Sequence, residues 1–209
     1  MKRDDVILVR GGGDLATGTI HRLWSAGLKV LVIEAEHPAA IRRQVSVSEA
    51  VYEGGAVVEG MRAALVKTLD EAVVVWHRGD VPVMVDPKGE LIPQVRPAAL
   101  VDAILAKKNL GTTRDMAPLT IALGPGFTAG VDVDFVVETK RGHRLGRIIR
   151  EGAASPTRAS PESSAAMVLS VSSTQKRPVS SGMCVPSEIL CRRVKRSRKS
   201  KRRTASALR

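Results

Sequence analysis

The chain has 209 residues, 44% of them hydrophobic and only 2% aromatic, enough for one good-sized domain or a domain with an appendage whose core is built from Val, Ile, Leu and Ala. No apolar run reaches the ~20 residues of a membrane span, and the start MKRDDV does not read as a secretory leader, so a cytoplasmic setting is expected. The net charge of +12 is uneven, with 20 Lys+Arg against 18 Asp+Glu in residues 1–150 and 13 against 3 in 151–209, so nucleic acid contact is expected only through the tail and without sequence selectivity.

Val6 to Val9 is an apolar run that predicts a buried strand. Three glycines follow, then a helix-like segment to about Ala26. Its apolar side chains Leu15, Ala16, Ile20, Leu23 and Trp24 fall on one face. Gly27 stops it, and Lys29 to Ile33 reads as a second buried strand. Gly11-x-Gly13-x-x-Ala16 matches the dinucleotide fingerprint, with Gly12 between the two glycines. In that pattern the first glycine makes the tight turn and the second lets a pyrophosphate approach. The small residue lets helix and strand pack closely. Asp14 can cap the helix, although its charge opposes a phosphate. Glu34 ends the second strand 21 residues after Gly13, which suits a carboxylate accepting from a ribose 2′-OH. A tight strand–helix turn with no ligand explains the same glycines.

Residues 36–53 fit either a short exposed strand or a turn into a helix near Ser48. Arg42 and Arg43 suit an anionic ligand or plain surface charge. Residues 56–68 begin strand-like and end helix-like. Ala72 to Trp76 reads as a buried strand, and Val81 to Val85 as another, closed by the turn Asp86-Pro87-Lys88-Gly89. Pro97 to Lys108 predicts a helix with proline in its first turn. Leu119 to Leu123 is a short strand. It leads into Gly124 to Gly130, where the amides of Gly124, Gly126 and Gly130 with the Thr128 hydroxyl can form an anion nest. Val131 to Glu138 alternates as a half-buried strand, with Asp132 and Asp134 on one face as a cation site or a solvated face. A hairpin then connects to Leu145–Ile149.

The expected fold is α/β, a Rossmann-like parallel sheet with a small antiparallel addition and a disordered basic tail. Residues 1–115 form a nucleotide- or cofactor-binding region, 116–152 a glycine-loop and hairpin region, and 153–209 a Ser/Arg-rich tail. The candidate cofactor-binding residues are Gly11, Gly12, Gly13, Asp14, Ala16, Glu34, Gly124, Gly126, Thr128 and Gly130. There is no Walker lysine, HExxH or paired CxxC. The four histidines are scattered, and both cysteines, Cys184 and Cys191, lie in the tail, so no catalytic set is assigned and a secreted disulfide scaffold is not expected.

RGGGDLATGTIHRLWSAGLKVLVIE, RRQVSVSEAVYEG, VPVMVDPKGE, LVDAILAKKNLGT and PLTIALGPGFTAGVDVDFVVETKRGHRLGRII resemble, in order and spacing, the YqeB-type proteins. These are accessory proteins of selenium-dependent molybdenum hydroxylase systems, related to the XdhC-like xanthine dehydrogenase accessory group. The resemblance covers about residues 5–152. It implies a maturation factor that handles a nucleotide-containing molybdenum cofactor, a pterin dinucleotide, with a molybdenum hydroxylase apoenzyme as partner. The family pattern RGAGD is RGGGD here, a change a turn tolerates. The body has no cysteine, so the sulfur handling associated with the XdhC group does not carry over. From the residues alone, an NAD-dependent oxidoreductase is the alternative. The resemblance stops near Glu151-Gly152, where apolar periodicity and charge balance are lost together. That coincidence predicts a change of reading frame near 152–155.

Overall fold

The computed structural model describes residues 5–156. Its core is one nine-stranded sheet, and six of the eight strand pairs are parallel. β1 (Val6–Arg10) lies at its centre, with β2 (Lys29–Glu34) on one side. β5 (Val81–Val85), β4 (Met61–Leu65) and β3 (Gly55–Val58) continue outward from β2. On the other side of β1 lie β6 (Ala99–Asp102), β7 (Thr120–Leu123), β9 (Phe135–Val137) and β10 (Ile148–Ile149). A two-stranded antiparallel sheet of β8 (Thr128–Ala129) and β11 (Gly152–Ala153) completes the strands.

The strand order explains the sequence. β1 and β2 are buried on both faces, so they read as continuous apolar runs. On one face Val9, Val30 and Val32 pack against Ala16 and Ile20 of helix α1 (Asp14–Ser25). On the other, Leu8, Leu31 and Ile33 pack against Ala72 and Val75 of α3 (Leu69–His77) and Ile92 of the one-turn α4 (Ile92–Val95). A third cluster, around Phe127, Val133 and Val136, fills the space between the large and small sheets. From β1 and β2 the chain crosses to the far edge at β3, comes back inward through β4 and β5, and then passes to β1's other side with β6. The switch point thus falls between β1 and β6, where α/β sheets open toward ligands at their carboxyl ends.

Three segments differ from their sequence reading. Residues 72–76 are helical. The Thr68 hydroxyl accepts from the Glu71 amide at 3.2 Å and the Glu71 carboxylate from the Lys67 amide at 2.7 Å, a start signal that outweighs the β-branched run. Residues 61–65 are a strand, not a helix, because Met61 and Ala63 face the core two residues apart against β3 and β5. Residues 97–108 hold strand β6 followed by a loop. The slot between β1 and β7 overrides helix propensity there, pairing Leu8 with Leu100 and Leu100 with Thr120. The expected strand 131–138 is shortened to β9. Of the two readings of 36–53, the turn into a helix holds, with 3₁₀ turns at Arg43–Val45 and Val47–Glu49 and one helical turn, α2 (Ala50–Glu53). Residues 153–155 belong to the fold, with Ala154 buried and the Ser155 amide on Glu138 at 2.8 Å. The tail readings from residue 157 onward lie outside the described residues.

Candidate functional site

The first glycine turn leaves the carboxyl end of β1. Gly11 has φ +92°, and its amide donates to Ile33 O at 2.8 Å, extending the β1–β2 ladder. A Cβ there would lie 3.0 Å from the Ile104 backbone, so both conformation and close approach require glycine. Gly12 is buried. Its amide donates to Glu34 Oε2 at 2.6 Å, and its carbonyl accepts from the Ser48 amide at 2.9 Å. Gly13 is different. As N-cap of α1 it has φ −64° and ψ 179°, which any residue adopts, and an added Cβ would meet nothing within 4 Å. Neither backbone nor packing demands a glycine at this position.

Around the turn, Ala16 is fully buried, which lets α1 lie close on the sheet. Asp14 Oδ1 accepts from the Leu15 amide at 2.9 Å, while Oδ2 takes Arg42 Nε at 2.7 Å and Nη2 at 2.6 Å. Arg42 thereby neutralises the carboxylate nearest the helix start. Glu34 Oε1 accepts from the Ala35 amide at 2.8 Å. Residue 17, not singled out from the sequence, ties the parts together. The buried Thr17 hydroxyl donates to Gly13 O at 2.8 Å and accepts from the Val47 amide at 3.0 Å, fixing 47–48 over the turn.

The second glycine turn gives three of its amides, those of Gly124, Thr128 and Gly130, to the protein's own architecture. Gly124 has φ +79°, and its Cβ would lie 2.7 Å from the Thr139 hydroxyl. Gly126 has φ +110°, and its Cβ would lie 2.7 Å from the Lys108 backbone. The amides of Gly124 and Gly130 donate to Val137 O at 2.9 Å and Val133 O at 2.7 Å. The Thr128 amide donates to Asp132 at 2.7 Å, so a carboxylate of this chain already occupies that donor. The two turns meet the same connector after β6, Gly11 at Ile104, Gly124 at Leu105 and Gly126 at Lys108. Leu105 and Lys107 in that connector carry φ of +60° and +61°.

The remaining acids are equally committed. Asp134 accepts from the Thr120 amide and hydroxyl, both at 2.9 Å, and from Arg114 Nε at 2.5 Å. Burial pushes its pKa up, but these donors and the Arg114 charge hold it below the usual carboxylate range. Asp102 and Arg10, also not singled out from the sequence, form a buried pair at the ends of β6 and β1. Arg10 Nη1 lies 3.7 Å from Asp102 Oδ2, with the Thr112 hydroxyl accepting from the first and donating to the second. Their signal was a charge at the end of each apolar run. Among the described residues no group of three or more His, Cys, Asp and Glu can hold a metal ion. Among the same residues no helix is long and apolar enough to cross a membrane.

No family model matches the chain. No solved structure matches it. Over 149 residues it is 51% identical to "Uncharacterized protein YqeB" of Escherichia coli strain K12, a match that spans 71% of this chain and 28% of that protein. The chain therefore covers little more than a quarter of that relative's length. It is a homologue of YqeB through one portion of that longer protein.

Proposed function

We propose that the chain binds a nucleotide-containing molybdenum cofactor, a pterin dinucleotide, at the Gly11–Gly13 turn. On this reading it serves in the cytoplasm as an accessory protein in the maturation of a selenium-dependent molybdenum hydroxylase. One observation carries the binding assignment. Gly13 is a glycine that neither φ nor packing explains, at the start of a helix with no side-chain cap. Ser, Thr, Asp or Asn at an N-cap is worth ~1 kcal/mol over a residue with no capping side chain, although glycine gives up only a few tenths. A close ligand accounts for its absence.

The residues present fit a dinucleotide. In the first turn of α1 the Leu15 amide is taken by Asp14, which leaves the Asp14 and Ala16 amides to suit a phosphate, and the Arg42 contact offsets the charge of Asp14. Each Glu34 oxygen accepts one backbone amide and keeps a lone pair for a ribose hydroxyl. The molybdenum centre supplies oxidation chemistry in the finished hydroxylase, and this chain's residues hold and orient the nucleotide end. The molybdenum assignment rests on the resemblance of the blocks quoted above.

The test is calorimetric binding of the full chain to the pterin dinucleotide and to NAD, with Gly13→Val as the variant. Pterin dinucleotide binding that Gly13→Val abolishes, with NAD at least ten-fold weaker, is the expected result. NAD binding lost in Gly13→Val, with no pterin dinucleotide binding, transfers the site to an NAD-dependent oxidoreductase. No binding of either ligand refutes the nucleotide assignment. Co-purification with a molybdenum hydroxylase large subunit tests the partner independently.

A further inference from the structure

Residues 140–150 hold five Lys and Arg and no acid, whereas residues 5–139 hold 13 Lys and Arg against 17 Asp and Glu. The positive charge of the described fold is thus gathered on one short stretch. Elsewhere ion pairs engage five of those 13, Arg10, Arg42, Arg43, Lys88 and Arg114, so what sets the stretch apart is the density of its cations and its lack of any acid. Among the described residues, Lys140, Arg141, Arg144, Arg147 and Arg150 have no carboxylate partner. Arg144, Arg147 and Arg150 line a cleft of about 410 Å³ beside β10, and the Arg150 guanidinium sits 5.3 Å from the centre of the Phe135 ring. Glu151 also lines the cleft, as does Glu138, whose buried carboxylate is spent on the Lys140 and Ser155 amides. Three arginines still outnumber the two acids.

β10 is also the last strand of the large sheet. It pairs with β9, and among the described residues no strand pairs with its other side. Such an edge presents unpaired N–H and C=O groups as a template. Charged residues often serve only to guard an edge. Guarding does not account for Leu145 and Ile148, which are 59% and 60% exposed and set between the arginines in Arg144-Leu145-Gly146-Arg147-Ile148-Ile149-Arg150. Cationic side chains, exposed aliphatic side chains and, at Ile148–Ile149, an open strand edge coincide here, while the amides of Leu145, Gly146 and Arg147 are already bonded within the fold.

The geometry points to the β10 edge as the docking surface for an acidic, extended segment of a partner protein. The segment adds as a further strand, with carboxylates on Arg144, Arg147 and Arg150 and apolar side chains on Leu145 and Ile148. A polypeptide is favoured over a phosphate group or an anionic lipid surface because only a polypeptide uses the open backbone. This surface is independent of the glycine turn.

The test uses the full chain, a short synthetic peptide alternating Glu and Val, and the triple variant Arg144→Ser, Arg147→Ser, Arg150→Gln. An unchanged unfolding midpoint establishes that the variant folds. The peptide is expected to bind at least about ten-fold more weakly to the variant, a loss in keeping with three exposed charge pairs. It should also slow hydrogen exchange at residues 148–149. A peptide N-methylated on alternate amides, which cannot complete a ladder, should bind more weakly to the parent chain. Equal affinity of parent and variant overturns the proposal and assigns binding to the basic stretch beyond residue 157. Equal affinity of the methylated peptide overturns strand addition. Arginine-dependent binding of phosphatidylserine vesicles, with none of the peptide, overturns it in favour of a lipid surface.

Discussion

The Gly12 amide donates to the Glu34 carboxylate at 2.6 Å, joining the ends of the two central strands. The carboxylate read from the sequence as a ribose acceptor is therefore also a structural acceptor for a buried N–H. Glu34→Ala leaves that donor without its acceptor and is expected to cost about 1–3 kcal/mol. Glu34→Gln keeps an acceptor oxygen and should lose clearly less. Urea denaturation of both variants checks this, and equal losses would show that the amide finds another partner.

Gly11 and Gly13 should separate folding from binding. Gly11→Ala places a Cβ 3.0 Å from the Ile104 backbone at φ +92°, so a loss of about 2 kcal/mol or more is expected from strain and crowding together. Gly13→Ala adds a Cβ to open space at an ordinary φ, so stability should stay within about 0.5 kcal/mol. A loss of ligand binding in Gly13→Ala then reports on the site and not on the fold.

Arg10 and Asp102, each with 2% of its side chain exposed, test how the switch point is held. Asp102→Ala strands a buried guanidinium and is expected to cost about 3–5 kcal/mol. The double change Arg10→Met, Asp102→Leu removes both charges and should cost less than that single change. Thermal and denaturant unfolding of the two proteins gives the comparison. A double variant as unstable as Asp102→Ala would mean that the pair is needed for the loop to Thr112, beyond its charge.

The elements legible in the sequence were those whose local and tertiary demands agree. β1, the glycine turn, α1 and β2 each follow from apolar runs, helical spacing and terminal glycines, and all four form. Segments 72–76 and 97–108 misread for opposite reasons. Val73, Val74 and Val75 favour a strand on side-chain shape, but Thr68 and Glu71 cap a helix whose buried face needs only Ala72 and Val75. Ala, Leu and Lys favour a helix over 97–108, but the sheet needs a central strand beside β1. The second glycine turn was visible as a turn. That its Gly124, Thr128 and Gly130 amides serve the chain itself followed only once Asp132, Val133 and Val137 were placed.

Glu138 gives a pH dependence with a defined sign. Burial opposes its charge, but backbone donors led by the Lys140 and Ser155 amides hold its pKa below the ordinary glutamate value. A carboxyl depressed in the folded state adds stability above the unfolded value of about 4.3, and that stability is lost as pH falls through the lower folded value. As pH falls through that lower value, the Ser155 amide should lose protection from exchange relative to its intrinsic rate, releasing Ala154 from the third core cluster. Glu138→Gln should flatten the dependence of unfolding free energy on pH below about 4.3. A parallel curve in the variant would assign the acid sensitivity to the other carboxyls held below their usual range, Asp134, Glu49 and Asp115.

The connector after β6 makes the last case. Lys107 is exposed and holds φ +61°, a left-handed conformation that costs a side-chain-bearing residue roughly 1–2 kcal/mol. Gly126 fixes it there, because the Lys108 backbone occupies the space where a Cβ at 126 would lie. Lys107→Gly removes the strain at an entropic cost of about 0.5–1 kcal/mol, so stability should rise by up to about 1 kcal/mol. Lys107→Ala keeps the strain and should gain nothing. Gly126→Ala, by contrast, forces the two backbones apart and should destabilise more than any change at 107, because neither segment has a flexible side chain to yield. Chemical denaturation ranks the three. If Lys107→Ala stabilised as much as Lys107→Gly, the cost at this position would lie in the lysine side chain and not in the backbone.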